Sequence, residues 1–200
     1  MKITAIKQQI KQQRRYSIFV EGKYSFSLSD TALLESKLVN GQELTEREVQ
    51  NFKKRSLDDK LYDRVLQYLA LRPRSTWEIE QYLKRKQADP DVSQQIVNKL
   101  SDRGLVDDES FARSWVANRR LLKPISHRRL LQELRQKHVP NEITELVLAE
   151  DDTDEQTTLR ELVVRKRKQS RYQDDLKLMQ FLARQGFNYD DIKTVLHEKD

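Results

Sequence analysis

Cysteine is absent from the 200 residues, which excludes disulfides, thiolate catalysis and cysteine-based zinc sites. The four glycines are isolated from one another, so no glycine-rich loop is available to cradle a phosphate. No apolar run approaches the ~20 residues needed to span a bilayer. The opening MKITAIKQQIKQQRR lacks the apolar core of a secretory signal. A soluble, cytoplasmic protein without membrane contact is expected. His127, His138 and His197 lie far apart with no ligand spacing. No nucleophile is paired with a base in a recognisable motif. No metal, no cofactor and no enzymatic activity are expected.

Charge is abundant. Hydrophobic residues make up 36% of the chain and charged residues 35%. That is thin for one large core and suits several small helical units. The formal net charge is +6 and the isoelectric point near 9.4, which favours polyanionic partners or acidic protein surfaces. The excess is concentrated. Arg113, Arg119, Arg120, Lys123, Arg128, Arg129, Arg135 and Lys137 fall within one stretch, interrupted by the single acid Glu133. A second cluster comprises Arg165, Lys166, Arg167, Lys168 and Arg171. It lies at a helix end, where it also complements the dipole.

The first 28 residues alternate. Ile3, Ala5, Tyr16, Ile18, Val20, Tyr24, Phe26 and Leu28 are separated by polar residues, the period of half-buried strands. With a turn at Glu21-Gly22, this predicts a small antiparallel meander. Tyr24 and Phe26 share a face, and both are expected to be buried against a following helix. Ser29 or Asp30 caps a helix that Gly41 breaks. Thr45-x-x-Glu48 is a capping box and opens another helix through about Arg55.

From Asp58 onward the helical period takes over. Leu61, Val65, Leu66 and Leu69 form a stripe ended by Arg72-Pro73. Ser75-x-x-Glu78 opens a second helix, and Asp89-Pro90 a third that stops at Gly104. The order then recurs twice. YLKRKQADPDVSQQIV, ELRQKHVPNEITELVL and FLARQGFNYDDIKTVL align on Leu83, Leu134 and Leu182, separated by 51 and 48 residues. Periods of this size mark tandem arrays.

The fold class expected is mainly α: three tandem three-helix, helix-turn-helix-like repeats in an elongated array. A small N-terminal β-meander and helix module precedes them. The boundaries expected are 1–55 for that module, then 56–106, 107–150 and 151–200 for the repeats. Trp77 and Trp115 are assigned to packing. The acid groups Asp107-Asp108-Glu109, Asp151-Asp152, Asp174-Asp175 and Asp190-Asp191 are read as helix caps and dipole partners.

A helix-turn-helix that reads DNA presents basic or polar groups at the start of its recognition helix. Here the third helices begin PDVSQQIVNK, PNEITELVLAE and YDDIKTVLHEK. Their acids repel phosphate, and the basic residues sit on the first and second helices instead.

RPRSTWEIEQYLKRK, LVDDESFARSWVANRR and KPISHRRLLQELRQKHV together resemble the RecX family of recombination regulators. The middle motif is the most specific: an acidic pair, Phe-Ala, an Arg, a Pro and an E-L-R-x-K segment. The resemblance covers roughly residues 60–200. The chain departs from the family's pattern at turns. Ser126 stands where a glycine often follows the proline, and Lys86-Gln87 and Lys137-His138 stand where Lys-Gly often ends the second helix. The resemblance implies an all-helical repeat protein, without catalysis, that binds RecA recombinase filaments and restrains them. Weak non-specific DNA binding and a monomeric state are expected beside it. The alternative is a helix-turn-helix transcriptional regulator that binds DNA directly. The residues proposed to touch filament or DNA are the eight bases of the central stretch, with Arg119, Arg120, Arg128 and Arg129 foremost, since Arg pairs bidentately with carboxylate or phosphate. The second cluster and Arg72, Arg74, Lys84, Arg85 and Lys86 of the first repeat are secondary.

Overall fold

A computed structural model of the chain describes residues 1–198. Three strands open the chain: β1 (Ile3–Gln8), β2 (Arg15–Val20) and β3 (Lys23–Ser29), in the order β1-β2-β3 and antiparallel throughout. The β2–β3 turn is as tight as the sequence predicts, because Glu21 and Gly22 both take positive φ, 48° and 76°, as a two-residue hairpin of this type requires. Phe26 is buried and stacks on Phe52 at 5.4 Å. Tyr24 is exposed, contrary to expectation. The pairing slips between Ile18–Phe26 and Phe19–Tyr24, and such a bulge turns the residues beyond it away from the face they would otherwise share.

Helix α1 (Asp30–Ser36) is capped by the Ser29 hydroxyl. It stops at Lys37, which adopts the left-handed conformation, four residues before Gly41. Helix α2 (Glu46–Ala70) starts at the predicted capping box, with both reciprocal bonds of Thr45 and Glu48 formed. It does not end near Arg55 but runs on without interruption. The reason lies in what its middle packs against. Ser56 bonds to both the N–H and the carbonyl of Ser27, and Asp59 accepts bonds from Ser29. This stretch holds the sheet through polar groups, so it shows no apolar period.

Eight further helices follow: α3 (Thr76–Arg85), α4 (Pro90–Asp102), α5 (Asp108–Leu122), α6 (His127–Gln136), α7 (Asn141–Ala149), α8 (Glu155–Arg167), α9 (Asp175–Arg184) and α10 (Tyr189–His197). Helix α9 begins at its Asp174 cap, and the preceding Tyr172 sits in a short 3-10 turn instead of the helix. Asn188 precedes α10 at the cap position but makes no side-chain bond there. The chain divides into two compact units, residues 1–72 with 81–98 and residues 73–80 with 99–200.

The second helices α3, α6 and α9 follow one pattern in three copies. Leu83, Leu134 and Leu182 are fully buried, and so are Ile79, Leu130 and Leu178 one turn before them. Four residues after the anchor leucine stand Gln87, His138 and Gly186, with φ of 55°, 53° and 94°. The next N–H returns to the anchor's carbonyl each time: Ala88 to Leu83, Val139 to Leu134 and Phe187 to Leu182. This is a left-handed helix stop, which glycine fits best. Two of the three copies make it without glycine, at the turns where the sequence departs from the family's Lys-Gly. Replacing the exposed Gln87 by Gly is therefore expected to stabilise the chain by roughly 0.5–1 kcal/mol. That raises the thermal midpoint by about 1–4 °C, as circular dichroism melts would record; an unchanged or lowered midpoint contradicts it. His138→Gly is expected to gain less, because the imidazole stacks on Trp77 at 4.1 Å.

The same helices meet through one recurring junction inside the second unit. The Ser75 hydroxyl, ahead of α3, donates to the carbonyl of Lys137 at the end of α6, at 2.8 Å. The Ser126 N–H, ahead of α6, donates to the carbonyl of Gln185 at the end of α9, at 3.1 Å. Ser75 and Ser126 occupy equivalent positions, as do Lys137 and Gln185. The stop of each second helix thus lies against the start of the second helix in the preceding repeat.

Candidate functional site

The central basic stretch spans α5, its link and α6, around a core of Phe111, Ala112, Val116, Ile125, Leu130, Leu134, Val139, Val147 and Leu148. The structure divides its eight bases into two groups. Four are engaged within the fold. Arg113 pairs with Glu109 and with Glu150. Arg119 pairs with Glu133 at 2.6 Å and lies over the Trp115 ring at 4.6 Å. Arg120 pairs with Asp151 at 2.5 Å and donates to the Ile125 carbonyl. Lys137 pairs with Glu78 at 2.9 Å and also lies over the Trp115 ring at 5.1 Å. Arg119 and Arg120, two of the four foremost candidates, therefore serve the fold. Glu133, the lone acid of the stretch, holds Arg119 and also accepts the Trp115 indole N–H at 2.9 Å.

Asp151 is likewise an ion-pair partner and not a helix cap. Burial is the largest influence on its carboxyl and opposes ionisation, but the bonds from Arg120 and Thr153 outweigh it, so the group titrates below the ordinary range. A depressed carboxylate contributes stability above its unfolded value, about 3.9, and loses it as pH falls through the folded value. Asp151→Asn is expected to flatten the fall of stability below about pH 4 in urea unfolding. An acid limb as steep as that of the unaltered chain would refute the linkage. Arg120→Ala leaves the nearly buried Asp151 carboxylate without its cation and is expected to cost about 3 kcal/mol.

The other group is available. Arg128 and Arg135 are exposed, and with Leu131, Gln132 and Gln136 they line an open groove of about 540 Å³ along α6. Positions 128, 131, 132 and 135 form one helical stripe. Lys123 is exposed in the preceding link. Arg129 is half-exposed, donating to Gln132 at 3.0 Å and standing 3.7 Å from Glu133. The exposed bases of the central stretch thus lie in the link and on the outer stripe of α6, while the α5 arginines are held in ion pairs.

The secondary clusters divide similarly. Lys166 lies over Phe181 at 4.8 Å and over Tyr172 at 5.5 Å, and Arg167 donates to the Gln173 carbonyl and pairs with Asp175. Arg171 lies over Tyr172 at 5.7 Å. Arg165 and Lys168 are exposed. In the first repeat Lys84, Arg85 and Lys86 are exposed, with Lys86 over Tyr82, while Arg72 and Arg74 are half-buried. Lys84 is the α3 counterpart of Arg135 and Ala183 the α9 counterpart, while Arg128 corresponds to Trp77 and Leu176, so α6 alone carries both bases of the stripe.

Among the described residues no cluster of metal-ligating side chains occurs, and no helix is long and apolar enough to cross a membrane. Third helices α4, α7 and α10 all carry acids in their first turn.

Four family models match the chain: the "Regulatory protein RecX N-terminal domain" over residues 1–45 and the first, second and third RecX three-helix domains over 62–100, 107–148 and 153–196. Among curated proteins, the regulatory protein RecX of Lactobacillus johnsonii is 33% identical over 153 residues, covering 76% of this chain and 56% of that protein. The chain thus spans little over half of that relative's length. The RecX of Bacillus subtilis is 29% identical over 98% of this chain and 76% of its own. A crystal structure of a regulatory protein RecX superposes with a TM-score of 0.74 at 27% identity, covering 98% of this chain and 99% of that one. The crystal structure of RecX from Lactobacillus salivarius gives 0.58 at 26% identity over 70% of this chain.

Proposed function

The chain belongs to the RecX family of regulatory proteins, and from that premise we propose that it binds RecA recombinase filaments and restrains their extension, ATP hydrolysis and strand exchange in DNA repair and recombination. The observation that carries this reading is the exposed basic stripe of α6, Arg128 and Arg135 beside a half-buried Leu131, next to α5 arginines that are held in ion pairs. Guanidinium groups on a rigid helix suit carboxylates of a protein polymer or phosphates of the strand it covers. Contacts from tethered repeats reinforce one another through effective concentration. DNA binding as a sequence reader is disfavoured by the acids that open α4, α7 and α10.

The test is RecA ATP hydrolysis on single-stranded DNA, followed while the chain is added below RecA's concentration. Inhibition at substoichiometric amounts is expected. Undiminished hydrolysis at equimolar protein sinks the proposal, and sequence-selective duplex binding that survives raised salt would favour the transcriptional reading instead.

A further inference from the structure

The N-terminal sheet module contains a further concentration of positive charge. Between the β1–β2 loop and α2 lies an open cleft of about 640 Å³ lined by Lys11, Arg14, Arg15, Lys60, Asp63 and Arg64, with glutamine amides and a single apolar side chain, Leu66, completing it. Five bases thus face one acid. They come from two elements far apart in sequence, brought together because Arg15 is buried and fixes the loop to α2. Its guanidinium pairs with Asp59 at 3.0 Å and with Asp63, and reaches the Ser27 carbonyl at 3.1 Å. Arg15 and Asp63 therefore neutralise each other at the floor. Lys11, Arg14 and Arg64 remain exposed at the rim, and Lys60 half-exposed. Ile10, next in the same loop, is 95% exposed.

We infer that this cleft is a binding site for the phosphate backbone of single-stranded nucleic acid. The lining side chains are cations and amide donors with one apolar residue, Leu66, which suits a sugar-phosphate chain better than an apolar ligand or amphipathic helix. Ile10 supplies an aliphatic surface beside the track, where an unstacked base face can rest. The site stands apart from α6 and does not rest on the RecA reading: it requires binding of the strand with no recombinase present.

The experiment measures anisotropy of a fluorescein-labelled oligothymidylate with the full chain and with Lys11→Gln/Arg14→Gln, over a range of salt concentrations. Both substitutions lie on an exposed loop, and circular dichroism verifies the fold. Wild-type affinity is expected to fall with salt. The double variant is expected to bind at least tenfold more weakly at low salt, with the slope of log affinity against log salt shallower by about 1.4, from roughly 0.7 per single-strand contact. No binding by the wild type overturns the inference, as does a smaller loss in the folded variant. Two competitors decide the source of phosphate: displacement by ATP or inorganic phosphate as effectively as by unlabelled oligonucleotide overturns a strand site. So does retention on anionic phosphatidylglycerol vesicles without retention of the oligonucleotide.

Discussion

Reversing Arg128 and Arg135 together to Glu is expected to raise the concentration needed for half-inhibition of RecA ATP hydrolysis more than a hundredfold, while the helical dichroism and the melting midpoint stay within about 2 °C of the unaltered chain. The two side chains are exposed on one stripe of α6 and line its groove. Each charged hydrogen bond lost costs roughly 1.5–3 kcal/mol, and two together span at least two decades in affinity at 1.4 kcal/mol per decade. Reversal replaces attraction with repulsion and adds to that. The stability side follows from the same geometry: neither base holds an ion pair within the described residues, so neither is missed by the fold. Arg119→Glu behaves oppositely. It places a second acid beside Glu133 and strips one of two cations from Trp115, so its main expected effect is a lowered midpoint. Full inhibition by the folded Arg128→Glu/Arg135→Glu protein would show that the filament contact lies elsewhere.

Gly186→Ala is expected to destabilise the chain by about 3 kcal/mol or more. Two causes combine. At φ 94° an L side chain is strained, at a cost of roughly 1–2 kcal/mol. The added Cβ also meets the Ser126 hydroxyl, the Arg129 Cβ at 2.8 Å and the Arg129 backbone N at 3.1 Å. The backbone of α6's first turn cannot rotate away as the end of a long side chain can. The junction must open instead, with loss of the bond from the Ser126 N–H to the Gln185 carbonyl. Urea unfolding reads the loss; a change under about 1 kcal/mol would mean that the two repeats do not meet as closely as described.

The three-helix grammar was readable because it is written in local signals. The buried leucines at 83, 134 and 182, the caps at Thr45, Ser75 and Ser126 and the positive-φ turn at Glu21-Gly22 are all matters of short-range spacing. What escaped is non-local. The continuity of α2 through Arg55 depends on serines and an aspartate that bond to a sheet thirty residues away. The fate of Tyr24 depends on a bulge, which leaves no mark in an alternating pattern. At the site, a run of bases is visible in the sequence, but its division is not. Arg120 and Arg128 look alike until Asp151, far along the chain, engages the first, while no acid among the described residues pairs with the second. Glu133 carries a usable signal, as the sole acid of the stretch and four residues after Arg129, the spacing of an ion pair on one helix face. The cleft at Lys11 and Arg64 had none, since its two walls are brought together only by folding.

The junction between second helices is made from main-chain atoms on the accepting side, the carbonyls of Lys137 and Gln185. A carbonyl is the same whatever residue carries it. Mutational drift can therefore exchange lysine for glutamine at the accepting position, and arginine for alanine on the outer stripe, without loosening the contact between neighbours. Duplicated segments held in this way are free to specialise: one copy can keep a cationic face for a partner while another gives it up, and the stack that carries them both is inherited intact.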